Sequence, residues 1–360
     1  MKLDILGHDD PTMIRRLEDL TGLDATTIRL DDPDVMALFH GTESLHITPE
    51  DINGIPLGSL GVPEFGTDFA MQMLIDANPQ NFSDLVRIAG LAHGTDVWLG
   101  NAQELIKSGQ CTISTAICCR DDIMVYLIHM GLESGTAFQI MENVRKGNVA
   151  KGKCAKWEEW KEDMKAHGVP DWYIWSCQKI KYMFPKAHAA AYVMMAYRIA
   201  FCKVHYPLAF YAAYFSIRAA EFDADIISKG KLAVRDKLDE IIELEKQKKL
   251  SVKDKGFQVV LELAWEMYLR GFSVEKVDLY KSNADKFILH EKSLLPPFTA
   301  LTGISTMAAN NIVQARLEGE FTSIDDLKKR ASLSTPIVER LREHGCLDGL
   351  QESDQISLFS

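Results

Sequence analysis

The sequence has no apolar run long enough to cross a membrane and no cysteine arrangement typical of a disulfide framework. Its longest apolar runs, around residues 187–196 and 209–217, fall short of the roughly 18 residues that a spanning helix needs. The seven cysteines, which include the adjacent Cys118 and Cys119, fit neither a disulfide ladder nor a zinc site. Low-complexity tracts, long repeats and a signal-peptide pattern are also missing. We therefore expect a cytoplasmic protein with reduced thiols and no membrane partner.

The composition is that of a globular chain. Its 360 residues are 47% hydrophobic and 25% charged, enough for two or three domains. Apolar periodicity, caps and glycine stops predict a mainly α fold with small β elements, in the α+β class. The predicted helices are residues 11–21, 64–77, 84–92, 122–131, 135–145, 185–206 and 229–249, and the predicted strands are 272–277 and 286–290.

Charge is distributed unevenly along this acidic chain, whose net charge is −11. Residues 1–100 contain 5 Lys or Arg against 17 Asp or Glu, whereas residues 145–205 contain 12 against 5. Aromatic residues alternate with those cations, a pairing typical of surfaces that neutralise phosphates and stack bases. Lys179, Lys181 and Arg198 are the DNA-contact candidates in this basic segment. The alternative is a solvated helical face with its tryptophans in the core.

Residues 298–312 have the layout of a helix-hairpin-helix element. A Gly303 turn would expose backbone amides at the start of the second helix, where the positive end of the helix dipole favours a phosphate. Gly303, Ser305 and Ala308 are therefore candidates to hold duplex backbone without sequence readout. Ser305 stands where such elements usually have a second glycine, so it must either tolerate the turn or cap the helix. An ordinary αα-hairpin with a Gly turn is the alternative.

The last residues form a tail with a Gln, a Leu and an aromatic residue after an acidic stretch. Gln355 would orient an extended peptide, and Leu358 and Phe359 would each contribute roughly 1.5–3 kcal/mol if fully buried in a partner's pocket. The pattern resembles the Gln-x-x-Leu-Phe motif by which bacterial replication proteins dock on the sliding clamp. A tail that folds back on its own domain is the alternative.

The opening residues 2–7 alternate polar and apolar side chains as a strand does. Lys2 and Asp4 therefore point to the same side and present a cation and a carboxylate together. Phosphoryl transfer to a 3′ hydroxyl uses two Mg²⁺ ions roughly 3.5–4 Å apart, which one Asp cannot hold. Two further carboxylates would have to come from elsewhere.

Taken together, these motifs resemble the C-terminal third of the PolC-type bacterial DNA polymerase III α subunits, a family of replicative DNA polymerases. The resemblance covers essentially the whole chain. It is carried by residues 2–15 (KLDILGHDDPTMIR), 61–67 (GVPEFGT), 91–98 (LAHGTDVW), 119–124 (CRDDIM) and 184–192 (FPKAHAAAY).

The resemblance implies a domain order and a set of roles. The implied domains are the end of the palm (1–10), fingers (11–218), a duplex-binding region with a small sheet (219–297), the helix-hairpin-helix element (298–350) and a clamp-binding tail (351–360). Asp4 would be the third palm carboxylate on two Mg²⁺ ions. The residues implied to meet the incoming deoxynucleoside triphosphate are Lys2, His93, Arg120, Lys186, His188 and Tyr192. His188 and Tyr192 are four residues apart, so one helix face would present both.

The family's two earlier palm aspartates precede the position that corresponds to Met1. We therefore expect a fragment or one half of a split polymerase that is inactive alone and needs the N-terminal remainder as a partner, beside primer-template DNA and the sliding clamp. A non-catalytic, clamp-tethered helix-hairpin-helix protein and an unrelated helical metabolic enzyme are the alternatives.

Overall fold

The computed structural model describes residues 8–219 and 221–353. Helices dominate this part of the chain, and its strands form one small sheet, so the α+β class is confirmed. No helix between residues 8 and 353, leaving Ala220 aside, is long and apolar enough to span a membrane. The predicted palm strand with Lys2 and Asp4 lies outside the described residues, as does the tail with Gln355, Leu358 and Phe359.

One compact unit consists of described residues 8–25, 46–54 and 202–353. Its central helix, Pro207–Ile217, buries Phe210, Tyr211 and Phe215 completely and packs against helix Asp9–Thr21. Pro207 stands at the first helical turn, where a missing N–H costs little. The remaining helices of this unit are Ala224–Ile227, Lys231–Lys246, Val252–Leu269, Thr306–Arg316, Ile324–Arg330 and Thr335–His344, and its 3₁₀ turns are Pro49–Ile52 and Phe298–Ala300.

The core of this unit contains a buried ion pair. Lys203 Nζ lies 2.9 Å from Glu266 Oε2, and both side chains are fully buried. The Tyr211 hydroxyl donates to Glu266 Oε1 at 2.5 Å, and Arg270 donates to the Tyr211 hydroxyl at 3.1 Å. Burial lowers the pKa of Lys203 while the Glu266 charge opposes that shift. The contacts on Glu266 satisfy charges that would otherwise be costly to bury.

The sheet of this unit has three short strands in the order first, third, second. Ser273–Val274 runs parallel to Ser293–Leu295, and Ile288–His290 pairs with the same central strand in the antiparallel sense. The sequence predicted the two outer strands as residues 272–277 and 286–290, which are longer than the strands observed. It missed the central strand, which is only three residues long.

The other compact unit consists of residues 26–45 and 55–201. Helix Lys186–His205 belongs to it as far as Phe201, and Tyr197 on this helix both accepts from the Asp32 amide at 2.9 Å and donates to the Asp32 carbonyl at 3.2 Å. Its other helices are Pro33–Ala37, Asp68–Ala77, Phe82–His93, Gln103–Lys107, Arg120–His129, Ser134–Arg145, Trp157–Ala166 and Asp171–Lys179, with a 3₁₀ turn at Glu43–Leu45 and an irregular turn at Trp98–Ala102. The 3₁₀ turn Ala25–Thr27 leads into this unit.

One predicted helix start is wrong. The sequence placed it at Glu64, but the helix is Asp68–Ala77, and the Thr67 side chain caps it by accepting from the Ala70 amide. Glu64 has φ of +67°, which a right-handed helix excludes. The chain therefore turns at Glu64 and begins the helix four residues later.

The other predicted helices exist with small shifts of their ends. Gly22, with φ of +71°, ends helix Asp9–Thr21 as expected, because its amide bonds back to the Glu18 carbonyl in a left-handed C-cap. The compact units divide the chain near Phe201 and place residues 46–54 with the C-terminal part. The domain boundaries at residues 10, 218, 297 and 350 stay predictions.

Candidate functional site

A tight turn over residues 61–66 carries Glu64, whose side chain is largely buried. A Cβ atom on Gly66 would lie 2.9 Å from both the Gly61 nitrogen and the Val62 carbonyl oxygen, so only glycine fits there. The buried Ser59 hydroxyl donates to the Phe65 carbonyl at 2.8 Å and closes the turn. Glu64 itself sits in the left-handed region, a conformation that costs a bulky residue about 1 kcal/mol or more.

Glu64 meets His93, the last residue of helix Phe82–His93. Glu64 Oε2 lies 2.6 Å from His93 Nε2, and both side chains are largely buried. After His93 the chain becomes extended at Gly94, where a Cβ atom would lie 2.3 Å from Val97 Cγ2 and 3.0 Å from the Tyr182 carbonyl oxygen. A glycine is therefore required for the chain to leave the helix along this path.

Residues 181–184 form an extended segment beside Thr95. The Thr95 amide donates to the Tyr182 carbonyl at 2.9 Å, and the Lys181 amide donates to the Thr95 carbonyl at 3.0 Å. The Met183 amide donates to the Arg145 carbonyl at 3.1 Å. These backbone bonds fix the segment that leads into helix Lys186–His205.

Five rings from these three parts of the chain pack together: His93, Tyr182, Phe184, His188 and Tyr192, called here the ring cluster. The His188 ring stacks on Phe184 with centroids 4.8 Å apart and lies 4.6 Å from Tyr192. The His93 ring meets His188 edge-on at 5.2 Å and Tyr192 at 5.9 Å. Burial, followed by the neighbouring His93, lowers the pKa of His188. The cluster is thus a wall of aromatic and imidazole rings.

Two cationic residues lie beside this wall at helix N-termini. The Arg120 amide donates to the Phe184 carbonyl at 3.2 Å, and the Lys186 amide donates to Asp121 Oδ2 at 2.7 Å. These bonds bring together the first turns of helices Arg120–His129 and Lys186–His205. The Arg120 side chain is 35% exposed, and Lys186 is exposed. Arg120 and Lys186 therefore stand at two neighbouring helix N-termini, which favour anions, and the Asp121 carboxylate, 4.0 Å from Arg120 Nε, offsets part of the positive charge.

This geometry suits a ligand that carries both a flat ring and anionic groups. Rings stack on uncharged π-systems, and a guanidinium matches phosphate oxygens with two parallel hydrogen bonds. The predicted residues His93, Arg120, Lys186, His188 and Tyr192 are brought together in this way.

Comparison with known sequences shows which proteins the chain resembles. Residues 10–168 match the family model of the bacterial DNA polymerase III alpha subunit finger domain, and residues 271–356 match that of the helix-hairpin-helix motif. Over 359 residues the chain is 57% identical to the PolC-type DNA polymerase III of Oceanobacillus iheyensis, 58% to that of Bacillus subtilis and 54% to that of Clostridium perfringens. The chain matches a part of the PolC-type DNA polymerase III proteins over its whole length. It spans only 24% of the length of the Oceanobacillus iheyensis and Bacillus subtilis proteins.

The finger-domain match contains part of the site. Glu64, His93 and Arg120 lie within residues 10–168. Residues 181–192, which carry the other rings of the cluster, lie outside both matched ranges. The relatives named above align with the whole chain, including that segment.

The remaining cations predicted in the basic segment have separate surroundings. Lys179 is exposed, with Nζ 4.9 Å from the centre of the Trp175 ring. Lys181 Nζ lies 2.7 Å from Asp96 Oδ2 beside the Thr95 bridge. Arg198 is half-buried, and its Nε has no hydrogen-bond partner among the described residues. Their role in DNA binding stays a prediction.

The helix-hairpin-helix region lies in the other compact unit and contains the expected glycine turn. Gly303 has φ of +95°, and the Ser305 side chain caps helix Thr306–Arg316 by accepting from the Ala308 amide at 3.2 Å. Of the two possibilities that the sequence left for Ser305, the structure shows the cap. The Ala308 side chain is buried. Arg340 donates through Nε to the Thr302 carbonyl at 3.1 Å and so supports the turn.

The sequence alone did not single out several residues of this site. Glu64 contacts His93, and the Asp121 carboxylate accepts from the Lys186 amide. Phe184 stacks on His188, while Tyr182 packs on Phe184. The signal for Glu64 was present, because it stands between Gly61 and Gly66 in a turn that only glycines permit. Asp121 could have been suggested by its position at the first turn of a helix, next to Arg120.

Proposed function

We propose that this chain is the nucleotide- and DNA-gripping part of a DNA-directed DNA polymerase that works in the cytoplasm. The observation that carries the proposal is the meeting of two cationic helix N-termini, at Arg120 and Lys186, with the ring cluster. An incoming deoxynucleoside triphosphate has a polyanionic chain and a flat base, which are the two chemistries this face offers.

The roles follow from the chemistry of each group. Arg120 and Lys186 offset the charge of the triphosphate, and Arg120 can do so with two parallel hydrogen bonds. His188 and Tyr192 shape the space for the nascent base pair, and His93 supports both rings. In a water-poor site such preorganised positive charge stabilises the transferring phosphoryl group.

The metal part of the proposal depends on Asp4. Two Mg²⁺ ions, when bound, would activate the primer 3′ hydroxyl and neutralise charge on the phosphates. Asp4 and two carboxylates from the N-terminal remainder would hold them, with Lys2 facing the nucleotide. Asp4 and Lys2 lie outside the described residues. We expect no primer extension from this chain alone, which a standard extension assay tests.

Duplex DNA and the sliding clamp are the further proposed partners. The capped turn at Gly303 and Ser305, with the Ala308 helix start, would hold duplex backbone, and Lys179, Lys181 and Arg198 would contribute charge. Gln355, Leu358 and Phe359 would dock on the clamp. Replacing Leu358 and Phe359 by Ala is expected to abolish clamp binding in a surface-binding assay.

Nucleotide-dependent DNA binding tests the proposal. The polymerase assembled from this chain and its N-terminal remainder is titrated onto primer-template DNA with a terminated primer, at several salt concentrations. The complementary triphosphate is expected to tighten the complex, and Arg120→Ala is expected to remove most of that gain. Arg29→Ala is the matched control, because Arg29 is exposed and pairs with Asp31 at the surface. Equal tightening by all four triphosphates, or none, would contradict the proposal.

A non-catalytic, clamp-tethered DNA-binding protein is the second candidate. The match of residues 271–356 to the helix-hairpin-helix family and the capped turn at Ser305 favour it. Such a protein would bind DNA with the same affinity whether or not a complementary triphosphate is present. The titration above therefore separates the two candidates.

A further inference from the structure

The roles proposed for the nucleotide-binding residues do not explain the short contact between Glu64 and His93. Glu64 Oε2 lies 2.6 Å from His93 Nε2, and the Glu64 side chain is only 15% exposed. A glutamate in a left-handed turn is unusual because its side chain adds strain that glycine would avoid. The turn over residues 61–66 thus holds a carboxylate against this imidazole at a conformational cost.

The contact fixes the state of the His93 ring. An ionised carboxylate can only accept a hydrogen bond, so Nε2 must carry a proton and donate it to Glu64. The other ring nitrogen, Nδ1, is buried and has no partner among the described residues. A second proton on Nδ1 would be a buried donor without an acceptor, which is costly. The contact with Glu64 therefore fixes a proton on Nε2.

The orientation of His93 matters to its neighbours. Its ring stands edge-on to Phe184 at 6.0 Å, to His188 at 5.2 Å and to Tyr192 at 5.9 Å. Edge-to-face packing depends on the angle of the ring, so a ring free to turn would pack less well against all three. His93 is the last residue of its helix, and Gly94 continues in an extended conformation.

We propose that Glu64 is a positioning residue: it locks the tautomer and the angle of His93, and through His93 it fixes the wall of His188 and Tyr192 that receives the incoming nucleotide. The inference rests on the proposed function, because it assigns this wall to nucleotide binding. Glu64 itself need not touch the nucleotide.

Steady-state kinetics of primer extension by the complete polymerase provide the first test. Glu64→Gly removes the carboxylate while its φ of +67° suits glycine, so the turn can still form. It is expected to raise KM for the complementary triphosphate about tenfold with little change in kcat, since a contact to a charged group is lost from the support of a binding wall. Glu64→Gln, which keeps an acceptor, is expected to recover part of the loss. Glu158→Gln is the control, because Glu158 is 77% exposed and pairs with Lys161.

A double substitution separates positioning through His93 from a general role of the turn. His93→Phe keeps a ring in the wall but cannot accept support from Glu64. If Glu64 acts through His93, adding Glu64→Gly to His93→Phe changes KM no further. Additive effects of the two substitutions, or wild-type KM in Glu64→Gly, would overturn the inference.

The tautomer gives a readout that does not involve activity. Nitrogen-15 NMR of this chain, with the His93 signals assigned by comparison with His93→Phe, is expected to show that Nε2 carries a proton. In Glu64→Gly the signals of the two ring nitrogens are expected to shift toward an averaged mixture. An unprotonated Nε2 in the unsubstituted chain would overturn the inference.

The two proposals fail in different ways. If Arg120→Ala and Lys186→Ala leave KM for the triphosphate unchanged, the nucleotide site itself is wrong. If those substitutions raise KM and Glu64→Gly does not, only the role of Glu64 is wrong.

Discussion

The side chain of Asp121 accepts a hydrogen bond from the backbone amide of Lys186 at 2.7 Å. One carboxylate at the start of helix Arg120–His129 thereby satisfies the first amide of helix Lys186–His205, 65 residues further along the chain. The bond ties together the two helix ends that carry Arg120 and Lys186. A carboxylate in this position also interacts favourably with the helix dipole.

Replacing Asp121 by Ala is expected to lower the free energy of unfolding by about 1 kcal/mol, because the amide of Lys186 loses its acceptor. It should also raise KM for the triphosphate, since the two cationic residues are no longer held together. Urea denaturation and extension kinetics measure the two effects. Asp31→Ala, at an exposed ion pair, is expected to change stability by less than about 0.5 kcal/mol. Unchanged stability and KM in Asp121→Ala would show that the bond does not organise the site.

Gly303 is expected to matter for DNA binding through its backbone alone. A Cβ atom there would meet nothing within 4 Å, yet its φ of +95° is strained for any other residue. Gly303→Ala should therefore cost about 1 kcal/mol of stability and weaken duplex binding. Gly319→Ala is the matched control, because Gly319 has φ of +126° and equally open surroundings. If the two variants bind DNA with equal affinity in a filter-binding assay, the Gly303 turn does not contact the duplex.

His344 makes the stability of its unit depend on pH. Its Nε2 accepts from the Val277 amide at 3.0 Å, and its Nδ1 lies 2.8 Å from Asp225. Burial, reinforced by the charges of Arg340 and Lys276, lowers the pKa of His344 from 6.5 to about 4. The adjacent Asp225 favours the charged ring, but protonation at Nε2 would break the bond to Val277, so we expect the lowered direction to hold.

Between pH 6.5 and about 4 the unfolded chain binds a proton at His344 that the folded chain does not. The free energy of unfolding should therefore fall as pH is lowered through this range, by up to about 3 kcal/mol from this residue. Urea titrations at pH 7 and pH 5 compare the unsubstituted chain with His344→Gln, which should lose less stability on acidification. His129→Gln, at an exposed histidine, is the control variant. A slope unchanged in His344→Gln would rule His344 out as its source.

The buried pair of Lys203 and Glu266 should respond strongly to the loss of one partner. Glu266→Ala leaves the Lys203 ammonium and the Tyr211 hydroxyl without their acceptor and is expected to cost about 3–5 kcal/mol. The double variant Lys203→Met with Glu266→Leu should recover much of the free energy of unfolding lost in Glu266→Ala. Glu243→Ala, on an exposed helix face, is the control in the same urea denaturation series. A cost below about 1 kcal/mol for Glu266→Ala would mean that the pair contributes little.

Local signals predicted much of the fold. Helix Phe82–His93 begins after Asn81, which caps it, and ends before Gly94, so both ends could be read from residue types. The four-residue spacing of His188 and Tyr192 correctly predicted neighbouring side chains. Helix Val252–Leu269 was missed although Ser251 and Asp254 form a capping box at its start, a signal the sequence did contain.

Other features depend on contacts between residues that local sequence patterns do not predict. The helix propensity of Glu64 predicted a helix there, and the close approach of Gly66 to Gly61 and Val62 in the left-handed turn became visible only in the structure. The pairing of Lys203 with Glu266 joins residues 63 positions apart, which no local pattern encodes. The meeting of His93 with His188 likewise required the bridge between Thr95 and Tyr182.

Extension kinetics with Arg120→Ala test the central claim most directly. In the polymerase assembled from this chain and its N-terminal remainder, KM for the complementary triphosphate is measured for the unsubstituted enzyme, for Arg120→Ala and for Arg29→Ala. Loss of a guanidinium from phosphate oxygens is expected to raise KM by about tenfold or more, while Arg29→Ala leaves it unchanged. Equal KM values for all three enzymes would contradict the assignment of this face to the incoming nucleotide.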